Sequence, residues 1–153
     1  MNFQDFILDP KDAQRVLFGA SGKLGPMDFA KGLVAIIAVS LVLNIISVVP
    51  VIGGLIGLVV GLVLAYAWVC IFSKRFHDAG QSGWMTIAAI VAVIVVSMVV
   101  SVILTPVFGG VDVTNMASLQ AMSTGLMIKN MITSVIANGV VGFYMFKLKP
   151  AAV

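Results

Sequence analysis

Charge is what this sequence has least of. Only 10% of its 153 residues are Asp, Glu, Lys or Arg, while 61% are hydrophobic; a soluble domain is usually about half apolar and about a quarter charged. A small domain cannot hide such an excess in a core, because it must cover a large surface with polar groups. A soluble globular class is therefore excluded, and lipid is the solvent that fits. Cysteine is nearly absent too: Cys70 is the single one, which excludes an intrachain disulfide. With one histidine, His77, a protein-only zinc site is not expected, and neither a metal nor a cofactor is implied. Apart from Lys129 at the outer end of the fourth, no Asp, Glu, Lys, Arg or His falls inside an expected span. Proton relays and charged-substrate paths normally use such residues, so a proton pump or proton-coupled carrier is disfavoured.

What is present is long apolar runs. No residue is charged from Gly32 to Ser73, from Ala79 to Val111 or from Asn130 to Phe146. Crossing the hydrocarbon takes roughly 20 helical residues. The first run holds two spans, the second a loop and one span, and the third a short span that lengthens outward through Leu126, Met127 and Ile128. The expected fold is an all-α membrane protein, a four-transmembrane-helix bundle with an N-terminal interfacial amphipathic helix. Its spans fall at about 32–49, 54–73, 85–104 and 127–146, between an N-terminal segment 1–31 and a tail 147–153.

Local signals agree. Asp9 reads as an N-cap, with Pro10 at the first helical position and Asp12 near the positive end of the helix dipole. The short helix that follows sets Ala13, Val16 and Leu17 on one side and Asp12, Gln14 and Arg15 on the other, the pattern of a helix lying at the membrane surface. A cleavable signal peptide is not expected, since the first long apolar run begins only at Gly32. Pro50 and Gly53-Gly54 mark a turn between the first two spans, and Thr105-Pro106 the end of the third. A surface helix is expected within 107–130, on the spacing of Met116, Leu119, Met122 and Leu126.

The pI near 9.3 follows from topology rather than from nucleic-acid binding. With the N-terminus in the cytoplasm, Lys11, Arg15, Lys23, Lys31, Lys74, Arg75, Lys147 and Lys149 all face inward, and only Lys129 of the 9 basic residues lies outside. The positive-inside tendency selects this orientation, with both termini cytoplasmic.

Helices in lipid associate through small residues and interhelical hydrogen bonds. The second span carries Gly53, Gly57, Gly61 and Ala65 at four-residue spacing, a smooth face for intramolecular packing or for a second copy. Asn44 in the first span and Asn138 in the fourth should face the bundle and bond to each other, or else line a polar pocket. Ser40 and Ser47 share the side of Asn44, and Asn130, Ser134 and Gly142 that of Asn138.

One polar loop stands out. Gly80 can take a positive φ past the second span, Ser82 is placed to cap the third, and Trp84 to anchor it at headgroup level. Lys74 and Arg75 precede Asp78 by one helical turn and can pair with it; together with Lys23 they can also hold lipid phosphates. His77 beside Asp78 suggests a base and its orienting carboxylate, with Ser82 as nucleophile, but adjacent helical residues point different ways.

The run Lys74-Arg75-Phe76-His77-Asp78-Ala79-Gly80-Gln81-Ser82-Gly83-Trp84 resembles the R-x-H-D-x-G-x-S-G-W signature of the bacterial inner-membrane family catalogued as domain of unknown function 805. Ser21-Gly22-Lys23-Leu24-Gly25-Pro26-Met27-Asp28-Phe29 is similar to its S-G-R-x-x-R-x-x-F stretch, with Lys23 for the first arginine, Pro26 in the second's place and Ala30 where tryptophan is common. The resemblance covers about residues 18–105; the family's glycine- and asparagine-rich tail is missing. It implies a bacterial inner-membrane location and a four-helix plan, not an activity.

The leading expectation is a non-enzymatic scaffold or accessory subunit that binds phospholipids, a larger membrane complex or copies of itself. Lys74, Arg75, His77, Asp78, Ser82, Trp84 and Lys23 are the candidate lipid or partner contacts. An oligomeric transporter or channel for a small neutral solute through the Asn44/Asn138 region is the alternative, and a lipid-headgroup enzyme at His77/Asp78 the third.

Overall fold

The structure, a computed structural model, describes residues 7–19, 21–46, 52–108 and 116–151. These form α1 (Pro10–Ala13), which runs into a π-helical turn (Gln14–Phe18), then α2 (Pro26–Ile46), α3 (Ile52–Asp78), α4 (Met85–Phe108) and α5 (Met116–Lys147). No strand occurs among the described residues. The 4 long helices are each long and apolar enough to cross a membrane, so the chain is an all-α, multi-pass membrane protein.

Element boundaries follow the local chemistry. The Asp9 carboxylate accepts from the Lys11 backbone N–H at 2.9 Å, with proline entering the first turn of α1. Ala13, Val16 and Leu17 turn inward while Asp12, Gln14 and Arg15 stay exposed. Val16 is fully buried, so this amphipathic segment is fastened to the bundle rather than resting on lipid alone. The expected turn at Pro50 lies outside the described residues.

Two expected boundaries differ. α4 runs through Pro106 to Phe108; a proline this close to a helix end removes only one ladder bond, and the Thr105 hydroxyl donates to the Ser101 carbonyl at 2.7 Å. The separate surface helix is instead the first part of α5, which has 32 residues and contains no proline to break it. At 1.5 Å per residue α5 is about 48 Å long, well beyond a hydrocarbon core of about 30 Å. Lys129 Nζ donates to Thr105 Oγ1 at 3.2 Å, tying α5 to α4.

Packing is uneven along the bundle. The core collects at the end that carries the 74–84 loop, where Phe29, Leu33 and Ile36 of α2 meet Ile71, Phe72 and Phe76 of α3 and Val141 and Met145 of α5. Phe72 is stacked on Trp68 at 3.8 Å between ring centroids and meets Phe29 edge-on at 5.1 Å, the latter an arrangement aromatic quadrupoles favour. Toward the other end Leu58, Leu62, Met98 and Val102 are exposed to what would be lipid. α4 leans on α5 far more than on α3.

Close approach occurs where small residues permit it, but not on the expected face. A Cβ on Gly142 would collide with Leu33 Cδ2, and one on Gly32 would come within 2.9 Å of Val16 Cγ1. At Gly57 and Gly61, by contrast, an added Cβ would meet nothing within 4 Å. The glycine face of α3 therefore does not pack closely within the chain at these two positions. It borders a crevice of about 360 Å³ whose other wall includes Ser40, Leu43 and Asn44 of α2. Gly53 lies in α3, with surroundings outside the described side chains.

Candidate functional site

The last turn of α3 supplies two adjacent cations, and the fold turns both inward. Lys74 is 2% exposed. Its Nζ donates to the carbonyls of Arg15 at 2.7 Å and Val16 at 2.6 Å, which sit at the end of the π-helical turn where main-chain acceptors lack helical partners. The Gly19 N–H closes that turn onto the Gln14 carbonyl at 3.2 Å. Lys74 thus caps the N-terminal segment and holds it against α3.

Arg75 does the same for α5. Its side chain is fully buried. Nε donates to the Met145 carbonyl at 3.1 Å, while one terminal nitrogen donates to the carbonyls of Phe146, at 3.4 Å, and Leu148. The other terminal nitrogen pairs with the Asp78 carboxylate. A planar fork of donors suits this task, and a cation at a helix C-terminus complements its dipole. The placement of Lys74 and Arg75 as lipid or partner contacts is therefore corrected, since both are buried and bonded within the chain; Asp78, partly exposed, pairs with Arg75. The Asp78 carboxylate that would orient a His77 base is engaged by Arg75 instead.

The rest of the loop is a folded-over turn. Gly80 has φ +71°, as its place after α3 demands. The chain beyond α5 returns across it, with the Ala151 N–H donating to the Asp78 carbonyl at 2.8 Å, and a Cβ on Gly80 would strike Ala151 Cβ at 2.8 Å. At the start of α4 the Trp84 N–H reaches Ser82 Oγ at 3.4 Å, so Ser82 caps loosely. Trp84 is 78% exposed, as a headgroup anchor should be, and Lys23 is also exposed. Arg15, absent from the sequence-derived candidates, joins α1 to α2: one of its nitrogens pairs with Asp28 at 3.0 Å and with Asp12 at 3.3 Å. The Asp28 hydrogen bond, seconded by Asp12, pushes its pKa further above the ordinary guanidinium value.

Two crevices adjoin on the α3–α4 side. The first, of about 500 Å³, opens between Ser73 and His77 of α3 and Ser82, Gly83, Trp84 and Thr86 at the start of α4. Gly83 is essential to its shape, since a Cβ there would lie 2.9 Å from His77 Nε2. Thr86 is buried, and its hydroxyl has no hydrogen-bond partner among the described residues. The second crevice, of about 380 Å³, continues along Val69 and Ile90, which line both, to Trp68, Val93, Ile94, Ala65 and Asn138. There the Trp68 indole N–H donates to Asn138 Oδ1 at 2.9 Å, and the Asn138 amide donates to the Ser134 carbonyl at 2.9 Å.

The two asparagines consequently do not form the pair expected of them. Asn44 gives its amide to the Ser40 carbonyl at 2.8 Å and lines the α2–α3 crevice, whereas Asn138 lines the α3–α4 one. An asparagine's need for a partner is visible in sequence; Trp68 as that partner is not. No protein-family model, curated protein or solved structure matches this chain.

Proposed function

We propose that this chain is a non-enzymatic membrane protein, a small scaffold or accessory subunit that receives a transmembrane helix of a larger complex, or of a second copy, in the crevice beside Gly57 and Gly61. The observation carrying this reading is that the smooth face of α3 is open at those positions. Without a hydrophobic drive between helices, close packing of small residues is a main source of association in lipid, and here it is unused within the chain. The internal use of Lys74, Arg75 and Asp78 also favours a rigid support over a reactive centre. The loop's resemblance to domain of unknown function 805 and the inward bias of the basic residues support a bacterial inner-membrane location with cytoplasmic termini.

The test is extraction of the membrane around the chain with a polymer that keeps native lipid, followed by mass measurement of the parent and of Gly61→Leu. An added Cβ at Gly61 meets nothing within 4 Å, so folding should be retained. The expected result is a parent particle containing further transmembrane helices and a variant that runs alone. A parent that runs as a single chain with no other protein would overturn the reading.

A further inference from the structure

We propose that the groove between α3 and α4 is a phospholipid site, with the phosphate held at its Ser73/His77/Thr86 end and an acyl chain lying along Val69, Ile90 and Ile94. This goes beyond the helix-docking reading and does not depend on it, because that crevice lies on the α2 side of α3.

The polar end is built for an anion. It sits at the start of α4, a 24-residue helix whose N-terminus carries the positive end of its dipole. Ser73, Ser82 and Thr86 offer hydroxyl donors, His77 offers ring nitrogens, and no acidic residue lines the cavity among the described residues. Asp78, next to His77 in the chain, is paired with Arg75.

The second observation is Thr86 itself. It lines this cavity, is 4% exposed and has a hydroxyl without a partner. A buried hydroxyl left unpaired is unfavourable, and a phosphate oxygen entering the cavity satisfies it. Ser73 and His77 already converge on Gly83, since a Cβ there would lie 2.8 Å from Ser73 Oγ and 2.9 Å from His77 Nε2.

The apolar continuation distinguishes a lipid from a free anion. The two crevices share Val69 and Ile90, so the polar pocket opens directly into a slot running along the membrane-spanning helices. Ile94 is 53% exposed and Trp84, at the mouth, 78%. α4 packs on α5 and leaves this side of α3 open. A diacyl phosphate meets hydroxyls and imidazole at one end and branched aliphatics at the other, matching the order in which the groove presents them.

The test uses the full chain in mild detergent, stripped of endogenous lipid and titrated with dioleoyl phosphatidylglycerol. Dioleoylglycerol and inorganic phosphate are the comparison ligands, and native mass spectrometry and thermal shift the readouts. The expected result is one phosphatidylglycerol per chain with a rise in Tm, and little effect of either comparison ligand. Thr86→Val should bind about tenfold more weakly, the factor that one hydrogen bond to a charged group carries, while its lipid-free Tm stays level or rises because an unpaired hydroxyl is gone. Ile90→Trp, which fills the slot and leaves the polar end intact, should also lose lipid. Equal stabilisation by inorganic phosphate would reassign the pocket to a free anion and overturn the proposal. So would equal binding of dioleoylglycerol, or parent-like binding by both variants.

Discussion

Arg75 Nε lies 3.1 Å from the Met145 carbonyl, and this contact joins the end of α3 to the end of α5. Around it the guanidinium also meets Phe146, Leu148 and Asp78, so one side chain holds a helix end, the start of the tail and its own neighbour one turn on.

Removing that side chain should be the most damaging single change at this end of the bundle. Arg75→Ala leaves the partly exposed Asp78 carboxylate and the carbonyls of Met145, Phe146 and Leu148 without this donor, and each buried acceptor left unsatisfied costs about 1–3 kcal/mol. Arg75→Lys keeps the charge but not the fork, and should recover only part of that loss. Thermal unfolding of the three proteins in one detergent checks the order parent, lysine, alanine. A lysine variant as stable as the parent would show that charge alone is needed.

Gly142 and Gly139 lie within one turn of each other on α5 and should respond oppositely to alanine. At Gly139 an added Cβ meets nothing within 4 Å, so Gly139→Ala should be neutral or gain up to about 1 kcal/mol from helix propensity. At Gly142 the methyl runs into Leu33 Cδ2 inside the core, and overpacking of about 1–3 kcal/mol outweighs the same propensity gain. Leu33→Ala should relieve the clash, so the double variant should fall short of the summed single losses. The measurement is a double-mutant cycle on Tm.

Trp68 and Asn138 should be coupled. Trp68→Phe removes the indole donor from Asn138 Oδ1 while keeping an aromatic ring beside Phe72. Interhelical hydrogen bonds in lipid are worth about 0.6 kcal/mol on average and up to about 1.7. A cycle of Trp68→Phe with Asn138→Leu should return a coupling energy in that range. A value near zero would mean that the bond contributes no stability.

The readable part of this molecule was set by the membrane's own rules. Charge-free runs had to be spans, a proline after Asp9 had to open a helix, and a glycine after Asp78 had to take the positive φ it shows. What the sequence concealed is direction around each helix. In a soluble helix the polar side marks the outside, but in lipid both sides are apolar, so nothing in the Gly57/Gly61 spacing told whether that face met a neighbour. The glycines meeting close neighbours proved to be Gly32, Gly80, Gly83 and Gly142 instead. Arg75 misled for a related reason: Asp78 is visible one turn away, whereas its main-chain acceptors sit on another helix. Thr86, a single hydroxyl in an apolar run, gave no signal at all, and only the cavity beside it makes it a candidate.

The Arg75 clamp also carries an order of events. Its acceptor at Met145 lies 70 positions later in the chain, so α3 is synthesised and delivered to the membrane well before α5 exists. Until then Arg75 has only Asp78 within reach, and its remaining donors stay hydrated among headgroups. Assembly therefore closes from the C-terminal side: the arrival of α5 withdraws the guanidinium from water, and the strand of tail through Ala151 then lies down over Gly80. A nascent chain stalled before Met145 differs from a finished one by a solvated arginine at the membrane surface, a chemical mark of incompleteness.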